Sequence, residues 1–328
     1  MSINNSQGAG TAIETLDLVK TYPGNVRALD GISFSVQAGT IFGLLGPNGA
    51  GKSTTIKILT TLSRPDSGLA RVGGYDVLRD AERVRLSIGC VAQKSGVDME
   101  STGRENLTLQ GQLYGIRGAE LKRRVGELLD RFFLSEAADL VARTYSGGMQ
   151  RKLDIAIGLI HQPQVLFLDE PTTGLDPEAR ADLWEEIARL SKDGLTILLT
   201  THYLEEADRL AERMAIVDRG KVVVEGTPEG LKAELRGDSV EIDFVESPDE
   251  SLVRQALERI EILRDVVVNG PVMHARADHG ASAVPLMLSA LETCGVKVAS
   301  VKVARPTLDD VYLRHTGRTF RQAEGGNS

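Results

Sequence analysis

The chain has 328 residues, 41% hydrophobic and 26% charged, the composition of an ordinary globular protein with room for about two domains. Its formal charge of −8 at pH 7 argues against general affinity for nucleic acid or for an anionic membrane surface. Cys90 and Cys294 are the only cysteines; they stand far apart in the chain with no metal-like spacing, and two reduced cytosolic thiols are expected.

No run reaches the roughly 18–20 apolar residues that span a bilayer. The best candidate, residues 155–168, is broken by His161, Gln162, Pro163 and Gln164. The first ten residues are polar and carry no signal-peptide pattern, and Ser2 stands where N-myristoylation needs glycine. The expected location is the cytoplasm, with any membrane role exercised through a partner.

In chain order, residues 1–11 read as a disordered tail. Residues 12–20 alternate as a strand, Tyr22-Pro23-Gly24-Asn25 is a turn, and residues 27–36 return as a second strand. The apolar run 40–45 then leads into Gly46-Pro47-Asn48-Gly49-Ala50-Gly51-Lys52-Ser53-Thr54 and a helix. Strand, glycine-rich turn and helix fit G-x-x-x-x-G-K-[ST] position by position. The glycines let successive N–H groups point inward at a phosphate chain, and the helix N-terminus adds about half an elementary charge. Lys52 can reach the β- and γ-phosphates, and the Ser53 hydroxyl can complete a Mg²⁺ shell.

A turn at residues 64–68 closes that helix, and residues 69–72 and 87–92 read as strands, the second ending at Gln93. From about residue 101 to 139 the apolar period becomes helical, through Leu107, Leu113, Tyr114, Leu121, Val125, Leu129 and Phe132. Leu113 and Tyr114 are either a partner contact or core. Ser146 caps the next helix, which runs to about residue 160 and opens with Gly147-Gly148, a second anion-binding helix terminus. One nucleotide does not readily need both termini within one subunit, so the second is expected to complete a neighbour's site.

The buried strand 165–168 ends in Asp169-Glu170. Asp169 lies at the carboxyl end of a strand, where α/β sheets bind ligands, placed to hold Mg²⁺ against Ser53. Glu170 points differently because side chains alternate, and can polarise a water attacking the γ-phosphate. After Gly174-Leu175, Asp176 reads as a helix cap before Pro177, opening a helix over 177–192. A strand over 195–200 leads to His202, which can donate to the γ-phosphate or orient the water. His161, His274, His279 and His315 are assigned to structure or surface. A helix over 203–210 and a hairpin of 214–217 and 222–225 follow.

Near residues 237–238 the character shifts. Strand 240–245, helix 249–260, strands 264–268 and 272–277, helix 284–294 and strand 296–303 give the order βαββαβ, a ferredoxin-like pattern. A helix over 308–315 precedes a polar tail.

These pieces in this order resemble the ATP-binding cassette family, over roughly residues 12–230. The resemblance implies an α/β fold: a P-loop NTPase with a RecA-like core, an antiparallel β subdomain and a helical insertion, here followed by a small α+β domain. It makes residues 46–54 the Walker A loop, Asp169 the Walker B aspartate, Glu170 the catalytic glutamate, Gln93 the Q-loop glutamine, Asp176 the D-loop aspartate and His202 the switch histidine. Ser53, Gln93 and Asp169 would hold Mg²⁺, and Tyr22 matches the aromatic that stacks on adenine. The alternative for Tyr22, a turn aromatic packed on the core, stays open. In the signature Tyr145-Ser146-Gly147-Gly148-Met149-Gln150, Tyr145 and Met149 depart from Leu-Ser-Gly-Gly-Gln. Within the family the chain is similar to ATP-binding subunits of the daunorubicin-resistance, multidrug-export type, through Gly89-Cys90-Val91-Ala92-Gln93, Arg104-Glu105-Asn106-Leu107 and Pro306-Thr307-Leu308-Asp309-Asp310-Val311-Tyr312-Leu313.

The expected organisation is a tail (1–11), a nucleotide-binding domain (12–236, with a helical subdomain at about 98–160), an accessory domain (237–317) and a disordered tail (318–328). The expected activity is ATP hydrolysis in a homodimer closing around two ATP, driving export of a drug, antibiotic or other amphipathic compound through a separate polytopic permease. No nucleic acid partner is expected, and membrane contact is expected only through the permease. An importer ATPase with a regulatory domain ranks behind this, and a soluble repair or translation ATPase last.

Overall fold

The structure, a computed structural model, describes residues 10–325 except 236 and 259. It divides into two units at Glu225/Gly226. The first opens with β1 (Thr11–Tyr22), β2 (Val26–Gln37), β3 (Ile41–Leu45), α1 (Lys52–Leu59), β4 (Ser67–Val72), β5 (Tyr75–Asp76), α2 (Ala81–Ser87) and β6 (Ile88–Val91). Three helices follow, α3 (Gly103–Leu113), α4 (Gly118–Arg131) and α5 (Gly147–Leu159). The unit closes with β7 (Val165–Asp169), α6 (Pro177–Lys192), β8 (Thr196–Thr201), α7 (Leu204–Leu210), β9 (Arg213–Asp218) and β10 (Lys221–Gly226).

Two sheets result. The β1–β2 hairpin pairs antiparallel with β4 through β1, and β4 with β5, in the order β2-β1-β4-β5. The larger sheet runs β10-β9-β3-β8-β7-β6, with β9, β3, β8, β7 and β6 mutually parallel. Its central strands β3, β7 and β8 are buried at every position, as a parallel sheet requires, and their period of two sends alternate residues into different cores. Phe42, Leu44, Phe167 and Leu198 face the antiparallel sheet and α1. Ile41, Leu166, Leu168, Ile197 and Leu199 face α3, α4, α5 and α6. Each such fully buried side chain contributes about 1.5–3 kcal/mol relative to exposure. The result fixes β3, β7 and β8 side by side, with their carboxyl ends on one edge. The α/β class and the helical insertion are as expected.

The second unit contains α8 (Pro228–Glu234), β11 (Asp238–Phe244), α9 (Glu250–Leu257), β12 (Leu263–Asn269), β13 (Val272–Ala277), α10 (Gly280–Thr293), β14 (Val298–Ala304), α11 (Leu308–Thr316) and α12 (Phe320–Gly325). Its sheet runs β12-β13-β11-β14 with every neighbouring pair antiparallel. Val240, Ile242 and Phe244 pack against Val253 and Leu257 of α9 and Ala283, Met287 and Leu291 of α10.

Three sequence expectations shift. Thr11 already belongs to β1, while residues 1–9 of the expected N-terminal tail lie outside the described residues. The division falls before α8, not at residue 237, because α8 packs on α11 of the second unit and buries Leu231. The expected disorder over 318–328 is wrong for its first part: α12 is helical, Phe320 and Ala323 are buried, the Phe320 amide donates to Asp309 Oδ1 at 2.7 Å, and its ring meets Tyr312 edge-on at 5.0 Å. Residues 326–328 lie outside the described residues. A chain ending at Gly226 keeps β10 whole and is expected to bind ATP as the full chain does, measured by titration with a fluorescent ATP analogue; lost binding would show that the first unit does not fold alone.

Candidate functional site

The phosphate loop lies between β3 and α1, at the middle of the large sheet. Gly51, the N-cap of α1, has φ +111°, and a Cβ there would sit 2.6 Å from Ala28 O. At Gly46 a Cβ would meet Val217 O at 2.4 Å. The backbone is therefore pressed against β2 and β9 on one side and left open on the other, a cradle for an anion. Lys52 is 4% exposed and curls over this cradle, donating to Gly46 O at 2.6 Å and Pro47 O at 3.2 Å.

The ends of β7 and β8 supply the acids and hydroxyls. Asp169 Oδ1 accepts from Ser53 Oγ at 3.2 Å and from Thr200 Oγ1 at 2.5 Å. Glu170 follows with φ +48°, the left-handed region, and its amide donates to Thr200 O and Thr200 Oγ1, each at 3.1 Å. This twist aims the Glu170 carboxylate away from Asp169 and toward the loop. Oε1 lies 3.3 Å from Lys52 Nζ, while Oε2 accepts from Gln93 Nε2 at 3.2 Å and Thr173 Oγ1 at 3.4 Å. His202 Nδ1 is 3.1 Å from Oε2, at an angle short of a directed hydrogen bond. Burial alone would raise the Glu170 carboxyl; His202 and the Lys52 ammonium outweigh it and hold the group below its ordinary range. A folded-state pKa lowered in this way stabilises the fold above the ordinary carboxylate range, and the contribution is lost as pH falls through the folded-state value. Hard oxygen donors from Ser53 and Asp169 beside a lysine-covered cradle fit a Mg²⁺-bound triphosphate.

Lys52, Ser53, Gln93, Asp169, Glu170 and His202 thus form one cluster. Ser146 and Asp176 cap other helices: Ser146 Oγ accepts from the Met149 amide at 3.2 Å, and Asp176 Oδ1 from the Ala179 amide at 2.8 Å. These two caps are neighbours, since a Cβ at Gly148 would lie 3.0 Å from Ala179 Cβ and one at Gly147 3.6 Å from Leu175 Cδ2. Ser146 and Gly147 are exposed. Tyr145 turns inward, its hydroxyl donating to Ala137 O at 2.7 Å over Gly103, and Met149 packs on the core beneath α5. Both departures from the signature pattern therefore serve packing. Tyr22 ends β1, half-buried, with Lys20 Nζ 5.6 Å from its ring; its partner strand β2 supplies the Ala28 carbonyl against Gly51. Leu113 of the insertion is exposed, whereas Tyr114 stacks at 3.8 Å on His161, whose Nε2 lies 2.8 Å from Ile88 O.

Sequence reasoning missed several residues. Thr200 bridges both acids, and the only signal was its place at a strand end before His202. Arg151, buried in α5, reaches the backbone of Asp169 and Glu170; beside Lys152 and Asp154 on the same helix, nothing in the sequence set it apart. Glu206 is fully buried and accepts from Thr172 Oγ1 at 2.8 Å and from the indole of Trp184 at 3.0 Å.

A central phosphate loop, an Asp-Glu strand end beside it and a helical insertion carrying a second glycine-rich helix start define an ATP-binding cassette ATPase. Residues 29–173 match the family model described as ABC transporter, and residues 226–316 match the one described as ATP-binding protein DrrA1-3-like, C-terminal domain. A daunorubicin resistance ATP-binding protein of Streptomyces coeruleorubidus is 43% identical over 316 residues, 96% of this chain and 99% of the relative. A doxorubicin resistance ATP-binding protein of Mycobacterium tuberculosis is 40% identical over 90% of this chain and 91% of its own length. Among solved structures, an ATP-binding subunit of an ABC transporter aligns with a TM-score of 0.61 at 32% identity, covering 68% of this chain and 93% of that one. A dimeric cassette in a post-hydrolysis state with ADP and Pi aligns at 0.60 and 27% identity, covering 66% and 98%. The chain belongs to the ABC transporter ATP-binding family, in the branch that carries a DrrA-like C-terminal domain.

Gly51→Ala is expected to weaken ATP binding at least tenfold, since left-handed strain of about 1–3 kcal/mol adds to the contact with Ala28 O. Gly126→Ala on α4, where a Cβ meets nothing within 4 Å, is the control and should leave binding unchanged.

Proposed function

We propose that this chain is the ATP-hydrolysing subunit of an exporter for a drug, antibiotic or other amphipathic compound, working through a separate polytopic permease. The observation that carries the hydrolytic part is the buried cluster in which Lys52 and Glu170 meet beside Ser53 and Asp169. Export is favoured over import because the similar proteins include daunorubicin, doxorubicin and linearmycin resistance proteins matched over nearly their whole length.

The backbone amides of residues 46–54 and the Lys52 ammonium bind the phosphates of ATP. Ser53 Oγ and Asp169 would hold Mg²⁺, which would supply charge neutralisation on the β- and γ-phosphates; Gln93, two residues beyond β6, would be a further ligand. Glu170 holds a water in line with the γ-phosphate and takes up its proton as the water oxygen bonds to the γ-phosphorus and the bond from that phosphorus to the departing ADP oxygen breaks, and His202 orients the water. Tyr22 offers its face to adenine. Ser146, Gly147 and Gly148 complete the site of a second copy, with Asp176 beside them. The exposure of Ser146, Gly147 and Asp176 supports this reading, as does the dimeric post-hydrolysis relative.

No helix is long and apolar enough to cross a membrane among the described residues, so the chain is proposed to be cytoplasmic and to reach the membrane only through the permease. On α3, Leu109 and Leu113 are 55% and 73% exposed, which suits them to an apolar permease contact. The second unit is proposed as a separable accessory domain.

Glu170→Gln is expected to keep ATP affinity, slow phosphate release by about 10²–10⁴-fold, and accumulate as an ATP-dependent dimer on size exclusion. Hydrolysis at the wild-type rate would remove Glu170 as the base. Tyr22→Ala should raise the KM for ATP about tenfold with kcat unchanged, the loss of one stacked base; an unchanged KM would leave Tyr22 as a packing residue.

A further inference from the structure

Arg151 lies in the second turn of α5, the helix that Ser146 caps. It is 7% exposed, and its guanidinium is spent on backbone carbonyls. Nη1 donates to Ala92 O at 2.7 Å and Nε to Pro171 O at 2.8 Å, while Nη2 reaches Asp169 O at 3.1 Å and Glu170 O at 3.4 Å. Three consecutive carbonyls around the left-handed Glu170 are thus held by one side chain. One turn further along α5, Asp154 lies 3.8 Å from Arg151 Nη1, and its Oδ1 accepts from the Gly96 amide at 2.9 Å. The two side chains therefore pin both ends of the stretch from Ala92 to Gly96, which carries Gln93.

We propose that Arg151 is a positioning residue for ATP hydrolysis: it holds Glu170 and Gln93 in place at one site and couples their placement to Ser146, Gly147 and Gly148, which serve the other. This rests on the homodimer reading above. In such a dimer, α5 of each copy has one end at the partner's nucleotide and Arg151 at its own acid pair. A shift of Ser146 against a γ-phosphate is carried by a rigid helix to the carbonyls on either side of Glu170. Arginine suits the position, because its planar fork spreads five donors over separate acceptors, whereas a lysine ammonium is a point with three. Glutamine offers two donors on a shorter stem.

The test uses full-length Arg151→Lys and Arg151→Gln, with steady-state hydrolysis across ATP concentration, binding of a fluorescent ATP analogue and thermal melting. Arg151→Lys is expected to lower kcat about 10²-fold, as small misplacements of reacting groups do, with KM changed less than about threefold and the Hill coefficient reduced to about 1. The melting temperature should stay near that of the wild type. An unchanged kcat and Hill coefficient would overturn the proposal, as would a parallel fall in kcat, affinity and melting temperature, which marks a purely structural residue. If Arg151→Gln does not fold, Arg151→Lys decides alone. Failure of Glu170→Gln to dimerise with ATP would overturn the homodimer reading instead, and kcat of Arg151→Lys would still judge the positioning of Glu170.

Discussion

Two opposite charges, Lys52 and Glu170, stand 3.3 Å apart and almost out of water, with side chains 4% and 7% exposed. Desolvating an isolated ion pair costs about as much as its attraction returns, so such a pair persists only when further hydrogen bonds satisfy each partner. The fold supplies them from separate elements: carbonyls of the phosphate loop for Lys52, Gln93 and Thr173 for Glu170, and the Thr200 hydroxyl and carbonyl for the Glu170 amide. The central strands, the glycines that press the loop against β2 and β9, and the left-handed turn after β7 all serve this one contact. On the proposed reading, a triphosphate entering the cradle draws Lys52 toward itself and leaves Glu170 to its remaining partners and to water.

What could be read from the sequence were the parts whose chemistry lies in contiguous residues. The phosphate loop, the acid pair and the SGG turn each declare themselves because strand, turn and helix signals surround them within a few positions. The β-strands of the large sheet were legible as short apolar runs, and α6 was bounded as found because Asp176-Pro177 is both cap and first turn. Arg151 and Thr200 were not legible, because their partners are backbone atoms and acids brought in by pairing between strands distant in the chain. No residue type marks a carbonyl as the one that will be bonded.

The second unit shows the same limit in another form. Its sheet and two covering helices followed from alternation and helical spacing, whereas α8 and α12 were missed. Each is short, and its apolar anchor is essentially one residue, Leu231 in α8 and Phe320 in α12. Such segments are helical because a neighbour buries the anchor, not because of their own composition. Tyr145 is a related case within the cassette. It stands out in the sequence only as a departure from the signature pattern, and the partner that accounts for it, Ala137 O in the core, lies outside that motif.

The buried triplet of Thr172, Trp184 and Glu206 has a spectroscopic consequence. Trp184 is the only tryptophan in the chain, its indole N–H is bonded to Glu206, and the Arg209 guanidinium lies 5.1 Å from its ring. Through Glu206 it is tied to Thr172, two residues beyond Glu170. Indole emission shifts with the charges and dipoles around the ring, so the wavelength of this one fluorophore registers any displacement of the stretch between the acid pair and Asp176. The protein thus carries its own optical gauge of that stretch, readable in stopped flow without a label.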